Sequence, residues 1–573
     1  MKNSVKETIL LLISLSIFLI SLNNNPEIAR LAFNADNLYP AILYQDLITD
    51  GNPLYGWSLT PSPFVVPDVA VYFLIHAIVQ NSLLSVYVSY AFQALFLLFA
   101  VSFFLNADRK TKSEKEDTNR IILFVYSIFL ILFSVSSYFF PVLGFAAHGG
   151  ALSFSLLCFG TWKRLSILSA EVGENGNSNP SGVFAKSQFV NFTFLKLLSN
   201  PKKRNIFFLW FLFGTAQILL IVSDPLFLLF FNAPFFLFCL GKLRTNFNRS
   251  MIQGLVVSTF CALLGLYFYR TLTKSDFVFI PTGYYSGTPS WNWIQPILVT
   301  LRTQLASSPF SFLFIWISYP ILTFMKFFFE KRMKGSNGTS SDSYDRFSFL
   351  ILSVFVSTFG IVVIGSLSGI SQKDGIHLRY LLPLLFFWIP ILADILFGLM
   401  MNYKKGIFIF CNIFFFISLL FILFQGNLNP TFYRDVLAAC LDRISEEPGN
   451  IRLGRGLADF WTSRRIRIFS ETNLRADNYM PDLHPEYWEN SWSWFTKTPE
   501  QEYNFAVLPG LDLNILKYEF GEPAFVSSCE NHKILIWNET SQERFKNFRK
   551  KKIEEIELWH KLTGRRYSSP ERR

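Results

Sequence analysis

The sequence predicts a polytopic α-helical membrane protein of about eleven spans, with a small α/β domain at its C-terminal end. Three observations carry that expectation. Of 573 residues, 51% are hydrophobic and only 16% charged, where a soluble chain carries about a quarter charged. The apolar residues fall in long blocks, Arg120 to Phe140 and Phe347 to Ile364 among them, near the roughly 18 residues at which a buried core helix gives way to a membrane span. The Lys and Arg residues between blocks gather in short loops, as the bias toward positive cytoplasmic loops requires. The formal charge of +11 is therefore a topology signal, and no nucleic-acid partner is expected. The 66 phenylalanines supply core and lipid-facing bulk.

The first block, Val5 to Leu22, follows Lys2 and Lys6 and reads as an uncleaved anchor, because no small-residue cleavage site follows it and further spans do. Residues 23–82 are proline-rich and too polar to cross, so they form a structured external loop. Leu83 to Leu105 then crosses inward to Arg109, Lys110, Lys112 and Lys115. Arg120 to Phe140 goes out, and Leu143 to Thr161 returns to Lys163 and Arg164. The polar stretch that follows, with its GENGNSNPSG piece, ends in Lys202, Lys203 and Arg204 and reads as a cytoplasmic loop. Asn205 to Ser223 crosses out, Leu226 to Gly241 in, Met251 to Tyr269 out and Phe310 to Phe329 in. Phe347 to Ser366 goes out, Tyr380 to Met401 comes in, Lys404 and Lys405 mark a turn, and Gly406 to Phe424 makes the last outward crossing. On this count every basic loop and the N-terminus lie in the cytoplasm, and the chain beyond Gln425 lies outside the inner (plasma) membrane.

The chain thus divides into a transmembrane domain, 1–425, an extracytoplasmic α/β domain, 426–540, and a basic helical tail, 541–573. Strand-like runs occur at Arg465 to Ser470, Tyr503 to Leu508, Pro523 to Ser528 and Lys533 to Trp537. In the tail, Phe545, Phe548, Ile553, Ile556 and Trp559 share one helical face, which suits either the membrane surface or a solvated helix. Cys158, Cys239, Cys261 and Cys411 fall in apolar spans and read as small buried hydrophobes. Cys440 and Cys529 flank the soluble domain; an oxidising compartment would permit their pairing, and paired and free thiols both stay open. No cysteine or histidine set has zinc-ligand spacing, and no cofactor is expected, with a divalent metal left open.

Chemistry is sought on the outer face, where polar residues gather. The first loop, NADNLYPAILYQDLITDGNPLYGWSLTPSPFVVPD, carries Asp36, Asp46, Asp50 and Asp68. A helix from Pro40 would put Asp46 and Asp50 on one face. Asp68 stands before the apolar run Val69 to Val79, where a helix N-cap is the plain reading. Asp50-Gly51 suggests a turn. Asp36 has no evident cap or turn context and is the leading candidate for a base, with Asp46 and Asp68 as acidic partners. Tyr39, His148 and Asp224 are candidates for lining the site; the plain readings are an interfacial histidine for His148 and a cap for Asp224. In the run QKDGIHLRYLLP, Lys373, His377 and Arg379 stand at the mouth of the tenth span, where Arg379 either snorkels or grips a phosphate with its planar fork of donors. The aromatics Tyr284, Tyr285, Trp291 and Trp293 of the loop 270–309, and Trp488, Trp492 and Trp494 of the soluble domain, suit sugar stacking, interfacial anchoring or plain core.

The first span, the external loop with an early aspartate and two short helices, and the Arg379-Tyr380-x-x-Pro383 entrance to a late span together resemble the GT-C membrane glycosyltransferases, such as protein O-mannosyltransferases and aminoarabinose transferases. The likeness covers residues 1–424 in layout, and only short motifs in residues. Asp36-Asn37 stands where that family commonly has Asp-Glu, so a role for two adjacent carboxylates is not carried over. The resemblance implies an inverting transfer of a sugar from a polyprenyl-phosphate donor to a glycan, lipid or protein acceptor in the cell envelope. Asp36 would take the acceptor proton, and Arg379, with His377 or Lys373, would stabilise the leaving phosphate. The rivals are a transporter or flippase of lipid-linked sugars, and a non-catalytic envelope protein of the same fold. Transporters place ionisable residues within spans and show repeated halves; no repeat is visible here, and the polar groups lie toward the outer ends of the spans.

Overall fold

The computed structural model describes the chain except for residues 1, 55, 110, 136–139, 175–200, 245–248, 276–277, 281–298, 300–301, 303–304, 307–316, 327–340, 368–381, 426–430, 447–451, 487, 497–501 and 564–573. The lysine, histidine and arginine of the QKDGIHLRY run, the four aromatics of the loop 270–309 and all but the first two residues of the GENGNSNPSG piece therefore lie outside the described residues.

Within the described residues, six helices are long and apolar enough to cross a membrane. They are α1 (Lys2–Asn24), α5 (Ser82–Leu105), α6 (Lys112–Val135), α8 (Pro201–Ser223), α10 (Arg249–Lys274) and α11 (Ser341–Leu367). Their outward sides carry large apolar residues such as Phe211, Phe260, Leu263, Phe355 and Phe359, all more than half exposed. Water would penalise such continuous apolar surface, and lipid would not. Between them stand α7 (Gly149–Glu174), α9 (Ala233–Leu243), which a wide turn Leu228–Asn232 precedes, and a helical segment 317–326. The expected span from Leu143 starts late, since residues 144–148 are a turn and α7 begins at Gly149.

The last two expected spans form one unbroken helical run, α12 (Leu382–Gln425). A straight helix would put Trp388 and Phe415 about 40 Å apart. Yet Trp388 packs on Phe129 and Phe415 on Phe124, neighbours barely a turn and a half apart along α6. The run therefore folds back between these contacts, the interval that holds Lys404 and Lys405.

The loops expected in the cytoplasm meet at one end of the bundle through buried ion pairs. Asp394 of α12 accepts from Lys326 Nζ at 2.8 Å and from Arg346 Nη2 at 3.2 Å. Arg346 also pairs with Asp108, beyond the end of α5. Asp345 binds Lys163 of α7 at 2.8 Å and Lys242 of α9 at 2.5 Å. The expectation that polar groups collect toward the outer end is thus incomplete. The network at this end is assembled by the helices from positions far apart in sequence.

At the opposite end, residues 23–82 fold into α2 (Pro26–Ala32), α3 (Tyr39–Tyr44), which runs on through a wide turn Gln45–Thr49, strand β1 (Trp57–Ser58), a wide turn Val65–Val69 and α4 (Ala70–Val79). Asn25 caps α2, accepting from the Glu27 and Ile28 amides.

The C-terminal domain is α/β, as expected. Its sheet has the order β3-β2-β5-β7-β6, with β2 (Arg455–Ala458), β3 (Arg475–Asn478), β5 (Tyr503–Leu508), β6 (Phe525–Cys529) and β7 (His532–Ile536). β2 runs parallel to β3 and β5, while β7 is antiparallel to β5 and β6. Helices α13 (Val436–Glu446), α14 (Phe460–Phe469), α15 (Leu513–Phe520) and α16 (Gln542–Thr563) accompany it. The strand expected at Arg465 to Ser470 is wrong, because α14 covers it, capped by Asp459 accepting from the Thr462 amide. The alternation of arginine and isoleucine imitates a strand, but Arg464 and Arg467, three apart on one helical face, are the residues buried against acidic partners. The C-terminal helix lies neither on a membrane nor free in solvent along this face. Phe545 stacks on Phe520 at 4.1 Å and meets Trp537, and Phe548 and Ile556 are buried in the same core. Cys440 of α13 and Cys529 of β6 form a disulfide, with Cα atoms 5.9 Å apart. Cys158, Cys239 and Cys261 are buried and free.

Candidate functional site

The loop 23–82 and the C-terminal domain share one buried interface, and it begins with Asp46. α3 and its wide turn place Asp46 and Asp50 toward α14, as the spacing of four suggested. Asp46 is fully buried. It accepts from Asn52 Nδ2 at 2.7 Å, Trp57 Nε1 at 2.7 Å, Trp494 Nε1 at 2.5 Å and, more weakly, Arg467 Nη2 at 3.4 Å. Asp50 takes Arg467 Nη2 at 2.5 Å and both terminal nitrogens of Arg475 at 2.7 and 2.8 Å. Asp50 is therefore an interdomain anchor beyond its turn. Arg467 lies over the Trp494 ring at 3.9 Å. Strand β1 pairs antiparallel with β4 (Asn490–Ser491) of the C-terminal domain. Gly56, at φ +95°, leaves room for Trp492: a Cβ there would overlap the indole at 1.7 Å. Trp494 belongs to the buried core between the two regions.

Asp36 is half-buried in the turn between α2 and α3, so it does have a turn context. Its backbone carbonyl accepts from the Tyr39 amide at 3.2 Å. The neighbouring Ala35 carbonyl accepts from Arg464 Nη1 at 3.1 Å, and the same nitrogen binds Glu489 at 2.7 Å. Asn37 donates through its amide to the Leu31 carbonyl at 2.5 Å. A carboxylate at that position would set two acceptors against each other, so the local backbone selects asparagine. Tyr39 is fully buried, and burial, with Glu489 close by, pushes its phenol well above the usual tyrosine range. It serves as a donor, toward the Pro63 carbonyl at 3.4 Å.

A second cluster joins three expected residues that are far apart in the chain. The wide turn Val65–Val69 carries Asp68, the turn before α7 carries His148, and Asp224 follows the last residue of α8. His148 Nδ1 lies 2.7 Å from Asp224 Oδ2. Asp224 Oδ1 accepts from Ser62 Oγ at 3.1 Å and the Leu226 amide at 3.2 Å, so it does cap the following turn. The Val66 amide donates to Ser223 Oγ, and that hydroxyl donates to the Val66 carbonyl, locking the turn to the end of α8. Asp68 is not a helix cap: no side-chain capping bond is present, and Phe64 stands at the cap position. It is 2% exposed, and its Oδ1 has no hydrogen-bond partner. Burial first, then the Asp224 carboxylate, pushes the Asp68 carboxyl up to about 8, against a backbone hydrogen bond from Ala146.

No protein-family model, no curated protein and no solved structure matches the chain. The site therefore rests on its own geometry.

That geometry sorts the expected residues into three places. Asp46 and Asp50 tie the domains together, Asp36 and Tyr39 lie under Arg464, and Asp68, His148 and Asp224 meet beside the first turn of α7. Among the described residues, no three histidine, cysteine or acidic side chains are placed to hold a metal ion. The residues that sequence reasoning missed are Arg464, Arg467 and Arg475, which supply the positive side of the interface. The signal for them was present in the helical spacing of Arg464 and Arg467 with Asp459 as cap, but the strand-like alternation concealed it. Ser62 carried no signal at all, since its role depends on the approach of α8.

Proposed function

We propose that the chain is a membrane glycosyltransferase that moves a sugar from a polyprenyl-phosphate donor onto a glycan, lipid or protein acceptor of the cell envelope. It acts on the extracytoplasmic side of the inner membrane, with the N-terminus in the cytoplasm. One observation carries the reading. The loop that follows the first apolar helix is built of two short helices around Asp36 and lies against the C-terminal domain, with Arg464 bonded to the adjacent Ala35 carbonyl. That places a carboxylate at the junction of apolar bundle and soluble domain, where a lipid-linked donor and a polar acceptor can meet.

In the reaction the acceptor oxygen attacks the anomeric carbon as the bond from that carbon to the phosphate oxygen breaks, inverting the centre. Asp36 takes the acceptor proton, and the electron pair of the broken bond stays with the polyprenyl phosphate. Arg379, with His377 and Lys373, is proposed to hold that phosphate by paired, charge-assisted hydrogen bonds. Asp36→Asn keeps the size of the side chain and removes its basicity. Sugar transfer from polyprenyl-phosphate-sugar in membranes is expected to fall by about 10²–10⁴ at normal expression. Full transfer by that variant would refute Asp36 as base.

A second reading, a transporter or flippase of lipid-linked sugars, is favoured by the buried Asp394–Lys326–Arg346 group, because ionisable residues inside a bundle often mark a transport path. Movement of the lipid-linked sugar without its consumption would decide for it.

A further inference from the structure

The cluster at Asp68 has features that bracing the loop does not require. Asp68 Oδ1 is buried and has no partner, although buried polar atoms are nearly always hydrogen-bonded. Gly150 of α7 lies against it: a Cβ there would come within 2.8 Å of Oδ1 and 2.5 Å of Pro67. Phe64, Ala146 and His148 all have left-handed backbones, at φ 53°, 51° and 68°, a conformation that side chains other than glycine rarely adopt.

The charges around the cluster are one-sided. Asp68 is acted on by the Asp224 carboxylate and the Ala146 amide. The phenols packed nearby, Tyr39 and Tyr269, donate to the Pro63 and Pro61 carbonyls. His148 sits between the rings of Phe64 and Phe230. On α4, His76 turns to Ser85 and Tyr72. With Asp68 in its acid form, the Asp224 carboxylate faces the one imidazole and no surplus positive charge is left for an anion, so the cluster does not suit the phosphate of a donor. A neutral group that donates a hydrogen bond suits the vacant oxygen.

We propose that Asp68, His148 and Asp224 form an acid–base centre, separate from Asp36, that binds a hydroxyl group of a neutral polyol and exchanges its proton. His148, held at Nδ1 by Asp224, takes the proton as the O–H bond breaks. Asp68, in its acid form, passes its own proton to that oxygen in the same event, so the hydroxyl is restored and no alkoxide is left beside a neutral acid. The proton returns by the same route, so no further reactant is needed. That the polyol is a sugar rests on the glycosyl-transfer reading; the proton held at Asp68 does not.

Dicyclohexylcarbodiimide, which modifies protonated carboxyls in apolar surroundings, tests the centre on the purified full chain in a detergent without a sugar headgroup. Peptide mass spectrometry reads the adduct at Asp68 across a pH series. Labelling is expected at neutral pH, fading only as pH rises through about 8, and Asp224→Asn is expected to move that fade to lower pH. An Asp68 that labels only under acid conditions overturns the centre whether or not the chain transfers sugar, and so does a fade that Asp224→Asn leaves in place. The wild-type profile decides the point even where the variant does not accumulate. High glucose should slow the labelling of Asp68 and inorganic phosphate should not. Equal slowing by phosphate, or no slowing by glucose, overturns the ligand class.

Discussion

Asp46 and Asp68 belong to the one loop 23–82 and are both withdrawn from solvent, at 0% and 2% exposure, but their surroundings differ. Asp46 receives four donors, two of them from the C-terminal domain. Asp68 keeps an oxygen with no partner and faces a second carboxylate. The arginines of the C-terminal domain make the difference. α14 and β3 deliver Arg467 and Arg475 to the Asp46–Asp50 face, while the side of the loop toward α7 and α8 meets His148 and Asp224. A buried carboxylate fully supplied with donors holds a structure together. One left short of donors is free to serve a ligand.

Asp46 can meet the C-terminal domain only if both lie on one side of the membrane. Reporter fusions at Asn175 and Asn450 are expected to behave oppositely, with Asn175 cytoplasmic; a cytoplasmic signal from Asn450 would invert the proposed orientation. Next in size is Asp46→Ala. It removes an acceptor from Arg467, Trp57 and Trp494 at once and is expected to destabilise the folded protein by about 3–5 kcal/mol, as breaking a buried pair does. A thermal unfolding midpoint close to wild type would show that Asp50 alone suffices. Removing the disulfide by Cys440→Ser is expected to lower stability by about 2–4 kcal/mol, since the bond closes a separation of 89 residues. Protease sensitivity of the C-terminal domain, with and without reductant, measures this.

Asp68→Asn should show the smallest effect and the one most dependent on pH. The folded Asp68 holds its proton up to about 8, whereas an ordinary aspartate releases it near 3.8. Between those values the folded chain binds a proton that the unfolded chain does not, so the contribution of Asp68 to stability is full below the lower value and declines as pH rises toward the higher. Asp68→Asn is expected to flatten that decline in the unfolding midpoint. An unchanged slope would show that Asp68 ionises normally and would make it another Asp46.

How much of this was legible in the sequence varies by element. α5 lies within a residue of its expected ends, because lipid-scale apolar runs with basic flanks declare themselves locally. β5 matches Tyr503 to Leu508 for the same local reason, a short run rich in apolar and aromatic residues bounded by turns. α14 was misread because its inward arginines follow a helical period that the neighbouring isoleucines disguise. Asp68 read as a cap because its sequence context, an acid before an apolar run, is that of a cap. Only the arrival of α7 and α8 turns it into a member of a cluster.

Apolar length, a local property, determined the long apolar helices, and short apolar runs between turns pointed to the sheet near the C-terminal end. Pairing is a property of distance in space, and that only the tertiary structure decided: Cys440 with Cys529, Asp46 with Trp494 448 positions away, and His148 with Asp224 76 positions away. Nothing in the local sequence of Asp46 or Asp68 states how many donors will reach it. That number follows from which elements the fold brings against the loop, and it separates the anchor from the candidate centre.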